Sequence, residues 1–121
     1  MNRLFGSAGQ DDGVLAHARL WQPIAHLIQY NTGGVDEAGV EAMMTRGREV
    51  LSRIPGVRRV ATGRAVKADA QFRLCWVIEF ASEKVIDSYR VHPDHVAFAD
   101  ELFRPIAADR LSIDYGLTER V

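Results

Sequence analysis

The sequence predicts an α+β domain in the order β-α-β-β-α-β, and three patterns predict it. Apolar side chains alternate with a two-residue period from Ile24 to Tyr30, from Phe72 to Phe80 and from Leu111 to Tyr115, the period of strands lying on a sheet. Spacings of three and four recur from Val40 to Ile54 and from His95 to Ile106, the period of a helix with one buried face. Breakers stand between them at Thr32-Gly33-Gly34, Pro55-Gly56 and His92-Pro93.

Taken in order, the first strand sets Ile24, His26, Ile28 and Tyr30 against Ala25, Leu27 and Gln29. Asp36 is placed to cap the next helix, whose apolar stripe is Val40, Met43, Met44, Val50, Leu51 and Ile54. A second strand is expected from Val57 to about Val66. A turn around Ala68-Asp69-Ala70 returns the chain into a third strand, Phe72 to Phe80, so that the two form a hairpin. Ser82 is the expected N-cap of a short helix with Val85, Ile86 and Tyr89 on its inner side. Pro93 interrupts it, because proline disfavours helical backbone in the residue before it. Helix then resumes with the stripe His95, Phe98, Ala99, Leu102 and Ile106, and Leu111, Ile113 and Tyr115 mark the last strand. This order is the split βαβ arrangement of ferredoxin-like folds, a four-stranded antiparallel sheet with helices on one face. The domain is expected over residues 23–117. Residues 1–22 read as an N-terminal extension able to form a short helix over 14–21, and 118–121 as a C-terminal tail.

The sheet's second face sets the expected assembly. If Phe72, Leu74, Trp76, Ile78 and Phe80 face the helices, then Arg73, Cys75, Val77 and Glu79 face the other way, joined by Leu27 and Gln29. A face with Leu27, Cys75 and Val77 at its centre calls for cover, and a second copy presenting the same patch supplies it. A homodimer packed sheet against sheet is therefore expected.

Composition narrows the function classes. With 121 residues, 47% hydrophobic and 26% charged, the chain has the make-up of one globular domain. A formal net charge of −1 leaves no footprint for nucleic acid, and Arg58-Arg59 is too short a basic run to make one. No stretch reaches the roughly 20 apolar residues that span a bilayer, and Gln10-Asp11-Asp12-Gly13 breaks up residues 1–20. A cytoplasmic protein without membrane partners is expected. The single cysteine, Cys75, reads as an inert thiol. No Gly-x-Gly-x-x-Gly, Gly-Lys-Ser/Thr or Gly-x-Ser-x-Gly motif occurs, which argues against nucleotide-dependent and serine-hydrolase mechanisms. No cofactor is expected.

Three polar residues occupy positions the patterns assign to the interior: His26 on the first strand, Tyr89 on the short helix, and His95 at the start of the next helix. Brought together, a histidine near its solution pKa of about 6.5 can take a proton from carbon or oxygen. A tyrosine hydroxyl beside it can polarise a carbonyl or phenol. Ile28, Leu74, Trp76, Phe98 and Met44 are expected to line the same pocket. His92 and His95 are spaced like metal ligands, but Pro93 marks a helix start and no third ligand is near, so no metal is expected. Asp94 is read as a helix cap. The competing reading of His26, Tyr89 and His95 is that they are hydrogen-bonded core groups.

Several segments carry a family resemblance: Ala25-His26-Leu27-Ile28, Ile54-Pro55-Gly56-Val57, Trp76-Val77-Ile78-Glu79-Phe80-Ala81-Ser82, and above all Tyr89-Arg90-Val91-His92-Pro93-Asp94-His95-Val96-Ala97-Phe98. With Arg104-Pro105-Ile106 and Ile113-Asp114-Tyr115 they resemble the stress-responsive A/B barrel (Dabb) family over about Pro23 to Gly116. The resemblance implies a dimeric α+β barrel. Similarity to the family's plant polyketide cyclases of the olivetolic acid type implies His95 as base, Tyr89 as its partner and His26 as a pocket residue. A further pocket histidine of those enzymes falls on Leu74 here. The functions implied are a cofactor-independent cyclase, isomerase or lyase acting on a small oxygenated aromatic, polyketide or lactone, a non-catalytic stress-related or ligand-binding dimer, or a cofactor-free monooxygenase.

Overall fold

The computed structural model describes residues 21–119. The expected N-terminal extension and its short helix lie almost wholly outside the described residues, as does the end of the C-terminal tail. The elements are β1 (Ile24–Thr32), α1 (Glu37–Leu51), β2 (Val57–Arg64), β3 (Leu74–Phe80), α2 (Lys84–Arg90), α3 (Pro93–Phe98) running into a π-helical turn (Ala99–Phe103), and β4 (Ala107–Gly116). The strands lie in the order β2-β3-β1-β4, with every neighbouring pair antiparallel. The domain is thus a ferredoxin-like α+β fold.

Alternation along β3 decides which face meets the helices. Leu74, Trp76, Ile78 and Phe80 are buried, while Cys75, Val77 and Glu79 between them are half-buried on the opposite side. Residues opposite one another in register share a face. Ile28 lies across from Trp76 on one side and from Ser112 on the other, and His26 across from Ile78 and Asp114. The core beneath the helices gathers Tyr30, Val40, Met44, Leu51, Phe98 and Phe103 around Trp76, each such side chain stabilising the fold by about 1.5–3 kcal/mol through burial.

Local chemistry sets the element ends. Asp36 caps α1, its carboxylate accepting from the Gly39 N–H at 2.8 Å. Gly56 turns the chain into β2 at a φ of 89°, where a Cβ would stand 2.6 Å from Val85. The third strand begins at Leu74 and not at Phe72, because the Arg73 N–H donates to the Asn31 side chain at 2.9 Å instead of to the ladder. Ser82 is not the N-cap of α2. That position falls on Glu83, which makes no side-chain cap, and Ser82 contributes only its carbonyl, accepting from the Val85 N–H at 3.1 Å. Nor does Asp94 cap α3. His92 does, its Nδ1 accepting from the Asp94 N–H at 3.1 Å.

The stripe of the last helix also departs from expectation. The Ala99 carbonyl accepts from the Arg104 N–H, five residues on, at 2.8 Å. This π turn inserts a residue into the helical period and rotates the positions beyond it. Phe103 is buried at 7% exposure, and Leu102, expected inside, is 40% exposed. Among the described residues no helix is long and apolar enough to cross a membrane.

Candidate active site

A cavity of about 280 Å³ lies between the helix side of the sheet and the corner where α2 meets α3. The first strand supplies His26 and Ile28, and β3 supplies Phe80. From α2 come Ile86, Tyr89 and Arg90, and from α3 and the π turn His95, Ala99 and Phe103, with Arg104 just beyond. Arg110, Ser112 and Asp114 of β4 complete the wall. Three of these, His26, Tyr89 and His95, bear groups able to exchange protons and stand on adjoining rings. The Tyr89 ring centre is 4.3 Å from that of His95 and 6.3 Å from that of His26, and Phe80 packs 4.8 Å from Tyr89 and 5.8 Å from His26.

Each histidine has one nitrogen committed. The His26 Nδ1 is 2.5 Å from the Asp114 carboxylate, its register partner on β4. A carboxylate only accepts, so Nδ1 carries the proton and Nε2 is the open nitrogen of the neutral ring. The His95 Nδ1 lies 3.0 Å from the Arg90 carbonyl oxygen, and the same reasoning leaves its Nε2 open. In an uninterrupted helix that carbonyl would accept from the Asp94 N–H. Here Pro93 breaks the helix and His92 takes the Asp94 N–H, so the carbonyl is free to orient His95.

Burial tunes these groups in a consistent direction. It pushes the Tyr89 hydroxyl far above the usual tyrosine range, so the phenol stays protonated. That hydroxyl has no hydrogen-bond partner among the described residues. Burial also lowers the His95 pKa, and the charge of Arg104 adds to the effect, against the Arg90 carbonyl and Asp100, which oppose it. A base kept neutral beside a phenol kept protonated can take a proton at one point and donate a hydrogen bond at another.

The family model described as Stress responsive A/B Barrel Domain matches residues 24–117. The chain belongs to this family. A Dabb family protein with a ferredoxin-like fold from Mesorhizobium loti superposes with a TM-score of 0.72 at 24% identity, covering 81% of this chain and 99% of that one. A dimeric ferredoxin-like protein of unknown function from Thermobifida fusca gives 0.70 at 24% identity, over 79% of this chain and 92% of that one. Hydroxynitrile lyase from Passiflora edulis gives 0.72 at 13% identity, over 84% and 98%. At these identities the likeness is one of fold. No curated protein matches the chain.

Within this Dabb domain the expected site residues divide into two groups. His26, Tyr89, His95 and Ile28 border the cavity. Trp76 and Phe98 sit behind it, beside a void of about 30 Å³ that Ile28, Tyr89 and His95 also touch. Leu74 and Met44, expected in the lining, belong to neither and are buried in the core. Leu74 is four residues along β3 from Ile78, the register partner of His26, a distance of about 13 Å at strand rise. Met44 is on α1, which contributes nothing to the cavity wall. Asp114, Arg104, Arg110, Ser112, Phe80 and Phe103 lie outside the expected set. The alternation of Leu111, Ile113 and Tyr115 does place Ser112 and Asp114 on the opposite face of the last strand, but nothing local to the sequence sets that face against His26.

Proposed function

We propose that this Dabb domain is a cofactor-independent acid/base enzyme, a cyclase, isomerase or lyase acting on a small oxygenated aromatic, polyketide or lactone. The observation that carries this reading is the meeting of His26, Tyr89 and His95 on one cavity of about 280 Å³, close to the size range of small-ligand sites. His95 acts as the base. Its Nδ1–H is held by the Arg90 carbonyl, and Nε2 takes a proton from an activated substrate C–H or hydroxyl. Tyr89 donates a hydrogen bond to the substrate oxygen on which charge develops. His26, oriented by Asp114, holds a second substrate oxygen. A positioned base of this kind contributes about 10²- to 10⁴-fold to rate. The superposition with a hydroxynitrile lyase adds fold analogy and no more.

A direct test is solvent-deuterium exchange at the acidic C–H of small 1,3-dicarbonyl compounds and lactones, followed by NMR in D2O. Exchange faster than buffer with the wild-type protein, and lost in His95→Asn, is the expected result. Exchange at the buffer rate across the set, or equal exchange by His95→Asn, would sink the proposal.

The working unit in this reading is a homodimer. On the sheet face away from the helices, Leu27, Cys75 and Val77 continue into Leu111, Ile113 and Tyr115 of β4 through the β1–β3 and β1–β4 registers. Those three β4 residues are 46%, 37% and 48% exposed in the single chain. A two-fold partner offering the same face covers them, and the dimeric state of the Thermobifida fusca neighbour supports this assembly.

A further inference from the structure

Among the charged side chains that line the cavity, three have a partner. Arg90 is paired with Asp87, Arg104 with Asp100, and Asp114 with His26. Arg110 has no carboxylate partner among the described residues, and its guanidinium carbon lies 6.0 Å from the centre of the Phe103 ring. It stands opposite Tyr30 in the β1–β4 register, so it is on the helix side of the sheet, away from the face given to the second copy. Successive inward positions of β4 therefore present Arg110, Ser112 and Asp114 along one cavity wall. The wall runs from this cation through a hydroxyl to the dyad with His26, over about 13 Å at strand rise.

We infer that the substrate carries a carboxylate, bound by Arg110 and Ser112 at one end of the cavity, while its oxygenated, reacting end meets His26, Tyr89 and His95. This rests on the acid/base reading and narrows it to anionic substrates. A guanidinium presents a planar fork of N–H donors that matches a carboxylate, and such charge-assisted bonds are about twice as strong as neutral ones. A substrate tethered at Arg110 is held with its far end at the base, which is the positioning that acid/base catalysis needs.

The test uses the full chain titrated with 4-hydroxybenzoate and with its methyl ester, following the His26 and His95 ring protons by NMR. The wild-type protein is expected to bind the acid about tenfold or more tightly than the ester. Arg110→Gln is expected to erase that preference while the ester still binds within about twofold, which also shows the variant cavity to be intact. Arg53→Gln, which removes the same charge from the loop after α1, is expected to keep the preference. Equal binding of acid and ester by the wild-type protein, or an undiminished preference in Arg110→Gln, would overturn the inference while leaving the acid/base site standing. If neither compound moves either histidine, the site reading itself falls and this inference with it.

Discussion

Replacing His95 in three ways separates the role of its two nitrogens. Asparagine places an N–H donor close to where Nδ1 stands, so His95→Asn keeps the bond to the Arg90 carbonyl, 3.0 Å long in the native protein, and removes the base. Glutamine reaches toward the position of Nε2 without being able to take a proton at neutral pH. Alanine loses the bond and the ring that packs 4.3 Å from Tyr89. A hydrogen bond of this kind contributes a net ~0.5–1.5 kcal/mol, so His95→Ala should be destabilised by about 1–2 kcal/mol once the lost ring contact is included. At this chain length that is a fall in Tm of about 3–8 °C. His95→Asn should stay within about 0.5 kcal/mol of wild type, because the anchoring bond survives. All three variants should lose about 10²- to 10⁴-fold in exchange or turnover, a barrier increase of about 3–5 kcal/mol. Urea unfolding reads the stabilities, and NMR in D2O reads the rates. Wild-type exchange by His95→Asn would refute the assignment of the base. Instability of His95→Asn equal to that of His95→Ala would refute the role given to the Arg90 carbonyl.

Further outcomes are expected at three sites. The rate should rise with pH along a single ionisation below the usual histidine value of about 6.5, since His95 is lowered by burial and works as a neutral base; a rate that falls through this range identifies an acid instead. The same shift has a stability sign: His95 is easier to protonate in the unfolded chain, so its contribution is present above about pH 6.5 and is lost as pH falls through the lower folded value, visible as a declining urea midpoint in wild type that is weaker in His95→Asn. Gly47→Ala should destabilise the fold by about 1–3 kcal/mol through overpacking, because its Cβ would stand 2.3 Å from Trp76 and 2.6 Å from Phe98, which outweighs the helix preference of about 1 kcal/mol for alanine; an equal or higher urea midpoint contradicts this. Ile113→Lys, on the open sheet face, should give a folded monomer by sedimentation at concentrations where wild type is dimeric, and an unchanged dimer would place the interface elsewhere.

Most of the fold is legible because period and punctuation are local properties. Alternation along β3 and the breakers at Pro55-Gly56 and Pro93 specify strands, helices and inward faces without reference to anything distant. His26, Tyr89 and His95 stand out by the same local logic, as polar groups at inward positions. What local logic lacks is register between elements far apart in the chain. Asp114 is 88 residues from the histidine it orients, and Leu74, inward like His26, is separated from the β4 wall of the cavity by the buried Tyr30, which pairs with Leu74 on one side and Arg110 on the other. The π turn is invisible for a different reason. One extra residue in a helical turn leaves the composition of the segment untouched but exchanges Leu102 for Phe103 at the core.

The His92-Pro93-Asp94-His95 segment shows why site and fold are hard to separate in this domain. Pro93 has no N–H to donate and forces the break. His92 then satisfies the first orphan donor of α3, which such a helix start requires. Those two purely structural acts free the carbonyl at the end of α2, and His95, near the start of α3, is oriented by it. Capping alone calls for His92 and Pro93 and places no demand on His95. The demand on His95 is the tilt of its ring against Tyr89 and its place on the cavity wall. Capping therefore explains the first half of the motif, and in the acid/base reading the second half supplies a ring anchored at Nδ1 with its Nε2 left open.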